Sequence, residues 1–318
     1  MKKTLLALAM TGFFAAGNAQ ASAYAMSFND VTNLVITPTA GITFPPGNST
    51  NNSNAVACLP NGNCVNNGGA GFINAPFAQV GAAPYADNSY RAANREANGN
   101  SFALADASID SRQFIGDPFT RARNMAEGLL LETNTANITA GNSSATLLIS
   151  TFVSNGNGTI NFSFDAFPFI RAYLVAAAAG SQAEGILALN FNIVGSPGNT
   201  APGSTGLVFN WAPDGIAGGI LGGSESGDPY TMNISVTAMP GNPGPLVYDP
   251  SGCAPGGCFR ATTNPLAAGT YTLNLSMRET VNLQLVQLPE PGSILLLGIG
   301  LAALGLTTRR RHAGQVWA

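Results

Sequence analysis

Apolar residues in the second half of this chain recur at every second position, in short runs that proline and glycine interrupt. In the segment 186–194, Leu187, Leu189, Phe191 and Ile193 would share one face of an extended strand, because successive side chains point to opposite sides. A helix would need its apolar residues three or four positions apart. The pattern therefore predicts antiparallel β-structure in which each strand buries one face.

Several segments after residue 140 fit this description and predict the strands of one domain. They are 146–153, 159–164, 166–175, 186–194, 207–211, 232–238, 271–277 and 281–288. Between the first two, the sequence of residues 155–158, Asn-Gly-Asn-Gly, is typical of a tight hairpin turn, since Asn and Gly accept positive φ. Many short strands with turns between them indicate an all-β fold, an antiparallel sandwich-like domain over 24–288.

Segments that lack this alternation are predicted to be loops or a short helix. The stretch 45–71 is rich in Asn, Gly and Pro and predicts an exposed loop, and the Gly-rich stretch 215–227 predicts a flexible one. Charged residues are denser in 89–132, where Asp117 and Pro118 are residue types that begin a short helix.

The four cysteines form two local pairs, Cys58 with Cys64 and Cys253 with Cys258. Pro, Gly or Asn bounds each pair, and such short loops suit disulfides in an oxidising compartment. Four cysteines allow three pairings, and the local pairing closes the smallest loops. A zinc site is the alternative, but four-cysteine zinc sites usually have the closer C-x-x-C spacing.

Residues 1–23 have the parts of a secretory signal peptide. Lys2 and Lys3 form its basic beginning, and the apolar stretch 5–16 follows. An A-x-A cleavage sequence ends at Ala21, and cleavage after Ala23 is the alternative. The segment predicts export through the Sec translocon.

The C-terminal stretch combines three parts in a fixed order. It consists of the tripeptide Pro289, Glu290 and Pro291, the apolar segment 292–308, and the basic cluster Arg309, Arg310 and Arg311. A helix over the apolar segment would span ~25 Å at ~1.5 Å rise per residue, which is the lower limit for crossing a bilayer. The basic cluster would keep the tail 312–318 in the cytoplasm and leave the residues before 289 outside.

In these three parts the chain resembles the PEP-CTERM surface proteins of bacteria. The resemblance implies recognition by an exosortase, a membrane-embedded enzyme similar to a cysteine transpeptidase. It further implies that the anchor is removed and that the protein reaches the cell surface or the extracellular matrix, beside extracellular polysaccharide. Two alternatives are an uncleaved tail anchor and sortase anchoring, for which 288–292 fits L-P-x-T-G except that Pro291 replaces the threonine.

Charge and histidine content exclude several classes of function. Without the two lysines and three arginines of the terminal segments, the chain has eight positive and sixteen negative charges, a net charge of about −8. Such a domain is a poor nucleic-acid binder, since neutralising phosphates needs clustered Lys or Arg. The only histidine is His312, beyond the sorting motif, so the mature domain should lack histidine-dependent catalysis and metal sites.

Carboxylates are the remaining candidates for chemistry. A pair of them can hydrolyse glycosides without histidine. The candidates for such a pair are Asp110, Asp117, Asp165 and Asp214. Oxygen ligands near turns offer an alternative, a calcium site. Its candidates are Asp214, Asp228, Asn155 and Asn157, although their spacing matches no EF-hand loop.

Aromatic side chains concentrate in and beside the predicted strands. They are Phe162, Phe164, Phe167, Phe169, Tyr173 and Trp211. They could form a sugar-stacking face, but the spacing of two within each Phe pair favours core packing. We therefore expect a non-catalytic surface or matrix protein without a cofactor or metal. The alternatives are a calcium- or carbohydrate-binding module and a carboxylate-based glycosidase.

Overall fold

The computed structural model describes residues 21–71, 73–81, 100–110, 120–131, 138–195, 206–251, 253, 256–286 and 298. The chain divides into two compact units, 1–286 and 287–318. The described part of the first unit consists almost entirely of β-strands, with one short 3-10 turn at Pro60–Gly62. In the second unit the described part is Gly298.

Two antiparallel sheets of ten and eight strands form the described part of the first unit, which confirms the predicted all-β class. The first sheet contains β1 (Ser22–Pro38), β5 (Ile73–Asn74), β6 (Phe77–Gly81), β7 (Phe102–Asp110), β8 (Thr120–Leu131), β10 (Ile160–Ala166), β11 (Phe169–Val175), β14 (Gly223–Gly227), β16 (Leu246–Tyr248) and β17 (Phe259–Thr263). The second sheet contains β2 (Ile42–Thr43), β3 (Ser49–Leu59), β4 (Asn63–Ala70), β9 (Ile138–Ser154), β12 (Gln182–Gly195), β13 (Gly206–Trp211), β15 (Ile234–Ala238) and β18 (Gly269–Leu285).

Strand order places the longest strands inside the sheets. The first sheet runs β14-β17-β10-β1-β8-β7-β5, and the second runs β13-β12-β18-β9-β3-β4. Within the second sheet, β18 pairs along its whole length with β9, from Gly269 opposite Ser154 to Leu285 opposite Ile138. On its other side β18 pairs with all of β12. The last described strand is therefore central to its sheet.

The prediction of two separate strands here is wrong, because 271–277 and 281–285 belong to a single strand. The charged pair Arg278 and Glu279 does not interrupt the alternation of β18. Arg278 is exposed and Glu279 is buried, as expected if side chains continue to alternate between the two faces of the strand.

The predicted hairpin at 155–158 is also wrong in its pairing, although the turn itself exists. Gly156 and Asn157 adopt the positive φ values of 106° and 64° that their residue types favour. However, β9 before the turn pairs with β18 and β3, whereas β10 after it pairs with β1 and β17. The turn therefore carries the chain from one sheet to the other.

The stretch 45–71 is not an exposed loop, as its composition predicts, but contains the hairpin β3–β4. Its strand β3 pairs with β9 from Ser49 to Cys58 and buries Asn51, Ser53, Ala55 and Ala57. Small and polar side chains fill these inward positions, so apolar periodicity does not reveal the strand. Two more strands, β7 and β8, lie in the charged stretch 89–132. The strand β14 lies in the Gly-rich stretch that was predicted to be a flexible loop. The predicted helix at Asp117 and Pro118 lies outside the described residues.

Stacked aromatic rings join the two sheets at the centre of the largest apolar cluster. The ring centroids of Phe164 on β10 and Phe191 on β12 are 5.3 Å apart, and those of Phe162 on β10 and Phe209 on β13 are 5.2 Å apart. Phe162, Phe164 and Trp211 are at most 2% exposed, as core packing predicts. Phe167 is 49% exposed, so the prediction is wrong for that residue. Phe169 and Tyr173 lie half-buried against a second cluster, which contains Tyr24.

A band of buried polar side chains crosses the interior beside these apolar clusters. We call it the polar seam, and its members are Asn29, Asn51, Ser53, Asn124, Asn142, Ser144, Thr146 and Glu279. None is more than 3% exposed. The seam involves both sheets, because Asn29 and Asn124 belong to β1 and β8 whereas the others belong to β3, β9 and β18.

Candidate functional site

Three carboxylates converge where the chain passes from β13 through β14. Asp214 follows β13, Glu225 lies on β14 and Asp228 follows β14 directly. One carboxylate oxygen from each lies within 4.8 Å of the others. We call this group the acidic cluster.

Backbone amides and one indole hold the acidic cluster in place. Asp228 accepts hydrogen bonds at Oδ2 from the amides of Asp214 and Gly215, both at 2.9 Å. Glu225 accepts the indole N–H of Trp211 at 3.0 Å and the amide N–H of Gly218 at 2.6 Å. The second oxygen of Asp228, Oδ1, is buried and has no hydrogen-bond partner among the described residues.

The acidic cluster perturbs the titration of Asp228. Burial raises the pKa of Asp228 to about 6, the two amide hydrogen bonds oppose this rise, and the charges of Glu225 and Asp214 add to it. A carboxylate that resists ionisation beside two others indicates that the group lacks a compensating positive charge. A bound cation would supply that charge.

A fourth carboxylate, Asp165 at the end of β10, has the opposite environment. Its oxygens accept hydrogen bonds from the amides of Gly256, Gly257 and Cys258, at 2.8–3.1 Å, and from the side chain of Asn33 at 2.8 Å. Burial alone would raise the pKa of Asp165, but these hydrogen bonds outweigh it and hold the pKa below its usual value. The carboxylate therefore fixes the 256–258 loop and is poorly suited to donate a proton.

The cysteines lie as the local pairing predicts. Cys58 faces Cys64 across the β3–β4 hairpin with 4.2 Å between the Cα atoms, and Cys253 faces Cys258 with 5.5 Å. Both pairs are close enough to form disulfides. Asp165 lies near the second pair, so these three residues form a possible metal-ligand group only when the cysteines are reduced.

The structure brings together some of the predicted carboxylates and separates others. Asp214 and Asp228, two of the calcium candidates, belong to the acidic cluster, whereas Asn155 and Asn157 lie in the turn after β9. The sequence reasoning missed Glu225. Its signal was weak, because β14 was predicted to be a flexible loop. Asp110 is exposed at the end of β7, and Asp117 lies outside the described residues.

Most of the predicted sorting residues cannot be placed in the structure. Residues 1–20 of the predicted signal peptide lie outside the described residues, whereas the two possible cleavage residues, Ala21 and Ala23, are buried. The tripeptide 289–291, the apolar segment apart from Gly298, the basic cluster 309–311 and the tail 312–318 also lie outside them. Within the described residues, no helix is long and apolar enough to span a membrane.

Comparison with known protein families confirms the predicted sorting segment. The family model of the PEP-CTERM protein-sorting motif matches residues 287–311. The match includes the Pro-Glu-Pro tripeptide, the apolar segment and the three arginines. Among curated proteins and solved structures, none matches the chain significantly. The motif implies that the protein is exported and sorted by an exosortase to the cell surface.

Proposed function

We propose that this protein is a non-catalytic component of the cell surface or extracellular matrix, and that an exosortase removes its C-terminal anchor. The sorting motif at residues 287–311 is the observation that carries the proposal. The motif begins two residues after the last strand ends at Leu285, so cleavage near 289–292 would release a chain that retains every described strand.

The apolar segment 292–308 supports removal rather than permanent anchoring. Its length is marginal for a bilayer span. It also contains four glycines, Gly292, Gly298, Gly300 and Gly305, each of which weakens a helix by ~1 kcal/mol relative to alanine. A short and weak helix suits a segment that is held in the membrane only until the enzyme acts.

Intact-mass spectrometry of the protein from its native cell tests this proposal. We expect the wild-type protein to end between residues 289 and 292. The Glu290→Ala variant and an exosortase-deficient strain should instead retain residues 309–318. Gln284→Ala, on the exposed face of β18, is the matched control and should be processed normally. A wild-type mass that includes the arginines would show that the protein keeps its anchor.

Calcium binding is a second candidate function, favoured by one observation in the acidic cluster. The buried Oδ1 of Asp228 has no hydrogen-bond partner among the described residues, although two other carboxylates lie close to it. Calcium prefers such oxygen ligands, and extracellular calcium sites have dissociation constants of about 10⁻⁴–10⁻³ M. A bound calcium ion would coordinate Oδ1 of Asp228 and reduce the repulsion between the three carboxylates.

Thermal melting with added calcium tests the second candidate. Millimolar calcium should raise the melting temperature of the wild-type protein, because a ligand that binds the folded state stabilises it. Asp228→Asn and Glu225→Gln should remove this rise, and Asp249→Asn, an exposed acid outside the cluster, should not. An equal rise in all four proteins, or none in the wild type, would exclude the acidic cluster as a calcium site.

A further inference from the structure

Three side chains of the polar seam place a hydroxyl, a carboxamide and a carboxyl group together. Thr146 on β9 donates its hydroxyl to Oδ1 of Asn124 on β8, with 2.8 Å between the two oxygens. The nitrogen of the same carboxamide donates to the backbone carbonyl of Met277 at 3.1 Å. Glu279, two residues further along β18, also interacts with the Asn124 side chain. The carboxamide of Asn124 therefore lies close to both a nucleophile and an acid.

This group of residues is shielded from bulk solvent. Asn124 and Glu279 are 0% exposed and Thr146 is 3% exposed. Neither carboxyl oxygen of Glu279 has a hydrogen-bond partner of normal geometry among the described residues. Proximity in a site without water is what an intramolecular acyl transfer needs, because it replaces a bimolecular encounter and protects the product from hydrolysis.

Glu279 is in a position to act as a proton donor. The inner faces of β1, β8, β9 and β12, as far as the structure describes them, carry no titratable side chain, so no positive charge there favours the carboxylate form. Burial raises the pKa of Glu279 well above its usual value, and the nearby carboxamide of Asn124 opposes this only in part. The site therefore favours the protonated carboxyl group over the carboxylate.

We propose that Thr146 and Asn124 form an intramolecular ester bond that joins the two sheets, with Glu279 as the proton donor. The hydroxyl oxygen of Thr146 attacks Cγ of Asn124, and the hydroxyl proton passes to Oδ1. Glu279 protonates Nδ2, the C–N bond breaks and ammonia leaves. The proton on Oδ1 then returns to Glu279 as the carbonyl re-forms. The products are one ester and one ammonia, and the reaction needs no oxidant or cofactor.

The composition of the chain favours an ester over an amide cross-link. Lysine occurs only at positions 2 and 3, in the predicted signal peptide, so the mature domain has no side-chain amine for an amide bond. The hydroxyl of Thr146 has one other close polar contact, the hydroxyl of Ser53 at 3.5 Å, which is too long for a strong hydrogen bond. Among the described residues, no strong competing hydrogen bond therefore holds the hydroxyl of Thr146 away from the carboxamide of Asn124.

Mass spectrometry of the full chain and of the protein from its native envelope tests the proposal directly. After denaturation and reduction, the mass should be lower by one ammonia than the mass calculated from the observed termini. Glutamyl endopeptidase cleaves after Glu127 and Glu132, between Asn124 and Thr146. The ester should therefore keep two of the resulting peptides joined. An unmodified mass with separate peptides would overturn the proposal.

Matched variants assign the roles of the three residues. Thr146→Val removes the nucleophile and Glu279→Gln removes the proton donor, so both should abolish the joined peptides. Thr146→Ser keeps the hydroxyl and should retain them, as should the control Thr151→Val on the same strand. Succinimide formation at an Asn-Gly pair also releases ammonia, but it joins no peptides. Joined peptides in Thr146→Val would show that Thr146 is not the nucleophile, and the wild-type result decides the matter if a variant fails to fold.

Discussion

Glu279 occupies an inward position of β18 between two apolar residues, Met277 and Val281. An ionised carboxylate in such a place costs far more free energy than a neutral acid does. The folded protein therefore holds the proton of Glu279 to higher pH than the unfolded chain, in which glutamate titrates near 4.5. Because the folded state binds more protons above that pH, stability falls as pH rises, until the folded-state pKa is passed.

We predict that Glu279→Gln removes this loss of stability. The free energy of unfolding of the wild type should fall by up to ~1.4 kcal/mol per pH unit as the pH rises above about 6.5, until the folded-state pKa of Glu279 is passed, whereas that of the variant should stay level. Asp228, with a pKa of about 6, is mostly ionised in that range and contributes little to the slope. Urea unfolding at several pH values measures both slopes. Parallel profiles would mean that Glu279 ionises without cost.

The two disulfide loops give a prediction at the scale of structural elements. Their cysteines are six and five residues apart in sequence, so chain entropy alone assigns each a similar stabilisation of ~2 kcal/mol. The Cys253–Cys258 loop also aims three amides at the carboxylate of Asp165. Replacing this pair with serine should cost ~1–2 kcal/mol more than replacing Cys58 and Cys64, because hydrogen bonds to a buried charge weaken. Equal losses in urea unfolding would show that the loop keeps its shape without the bond.

The beginning of β1 favours one of the two predicted signal cleavage sites. Ser22 and Ala23 pair with Leu131 and Leu130 of β8, and also with Val175 and Leu174 of β11. Cleavage after Ala23 would remove both residues from a strand that is paired on both sides. We therefore predict that the mature protein begins at Ser22, and N-terminal sequencing checks this. A chain that begins at Tyr24 would contradict it.

Sequence patterns predict those strands whose inner faces are apolar. The alternation in 186–194 is confirmed by β12, whose inward residues Leu187, Leu189, Phe191 and Ile193 are at most 1% exposed. The strand β3 was missed because Asn51 and Ser53 fill its inward positions. The pairing of the strands that flank residues 155–158 could not be predicted either, since a turn sequence fixes local φ but not which strands become neighbours.

The same reasoning explains what was missed at the candidate sites. Asp214 and Asp228 were proposed from residue type alone. Glu225 was missed because it lies on an irregular strand, β14, which no local sequence pattern predicts. Glu279 had a readable signal, because it interrupts a row of apolar residues with a period of two. Because one predicted strand ended at Met277 and the next began at Val281, Glu279 was not recognised as an inward-facing residue.

At the scale of the whole molecule, the domain should fold without either terminal segment. The strands described here begin at Ser22 and end at Leu285, so a shortened chain of residues 22–286 keeps all of them. We predict that this chain is soluble and gives a far-UV circular dichroism spectrum dominated by strand. A helix content above about a third, the average for globular proteins, would contradict the fold.

The central place of β18 has a consequence for the timing of export. A chain that crosses a membrane from its N-terminus delivers residues 269–285 after all the other described strands, yet β9 and β12 both need β18 as their neighbour. Until β18 has been exported, these two strands have unpaired edges on the outer side of the membrane. Unpaired strand edges promote aggregation. Completion of the fold and delivery of the sorting motif therefore nearly coincide, and a chain that stops short of β18 fails at both.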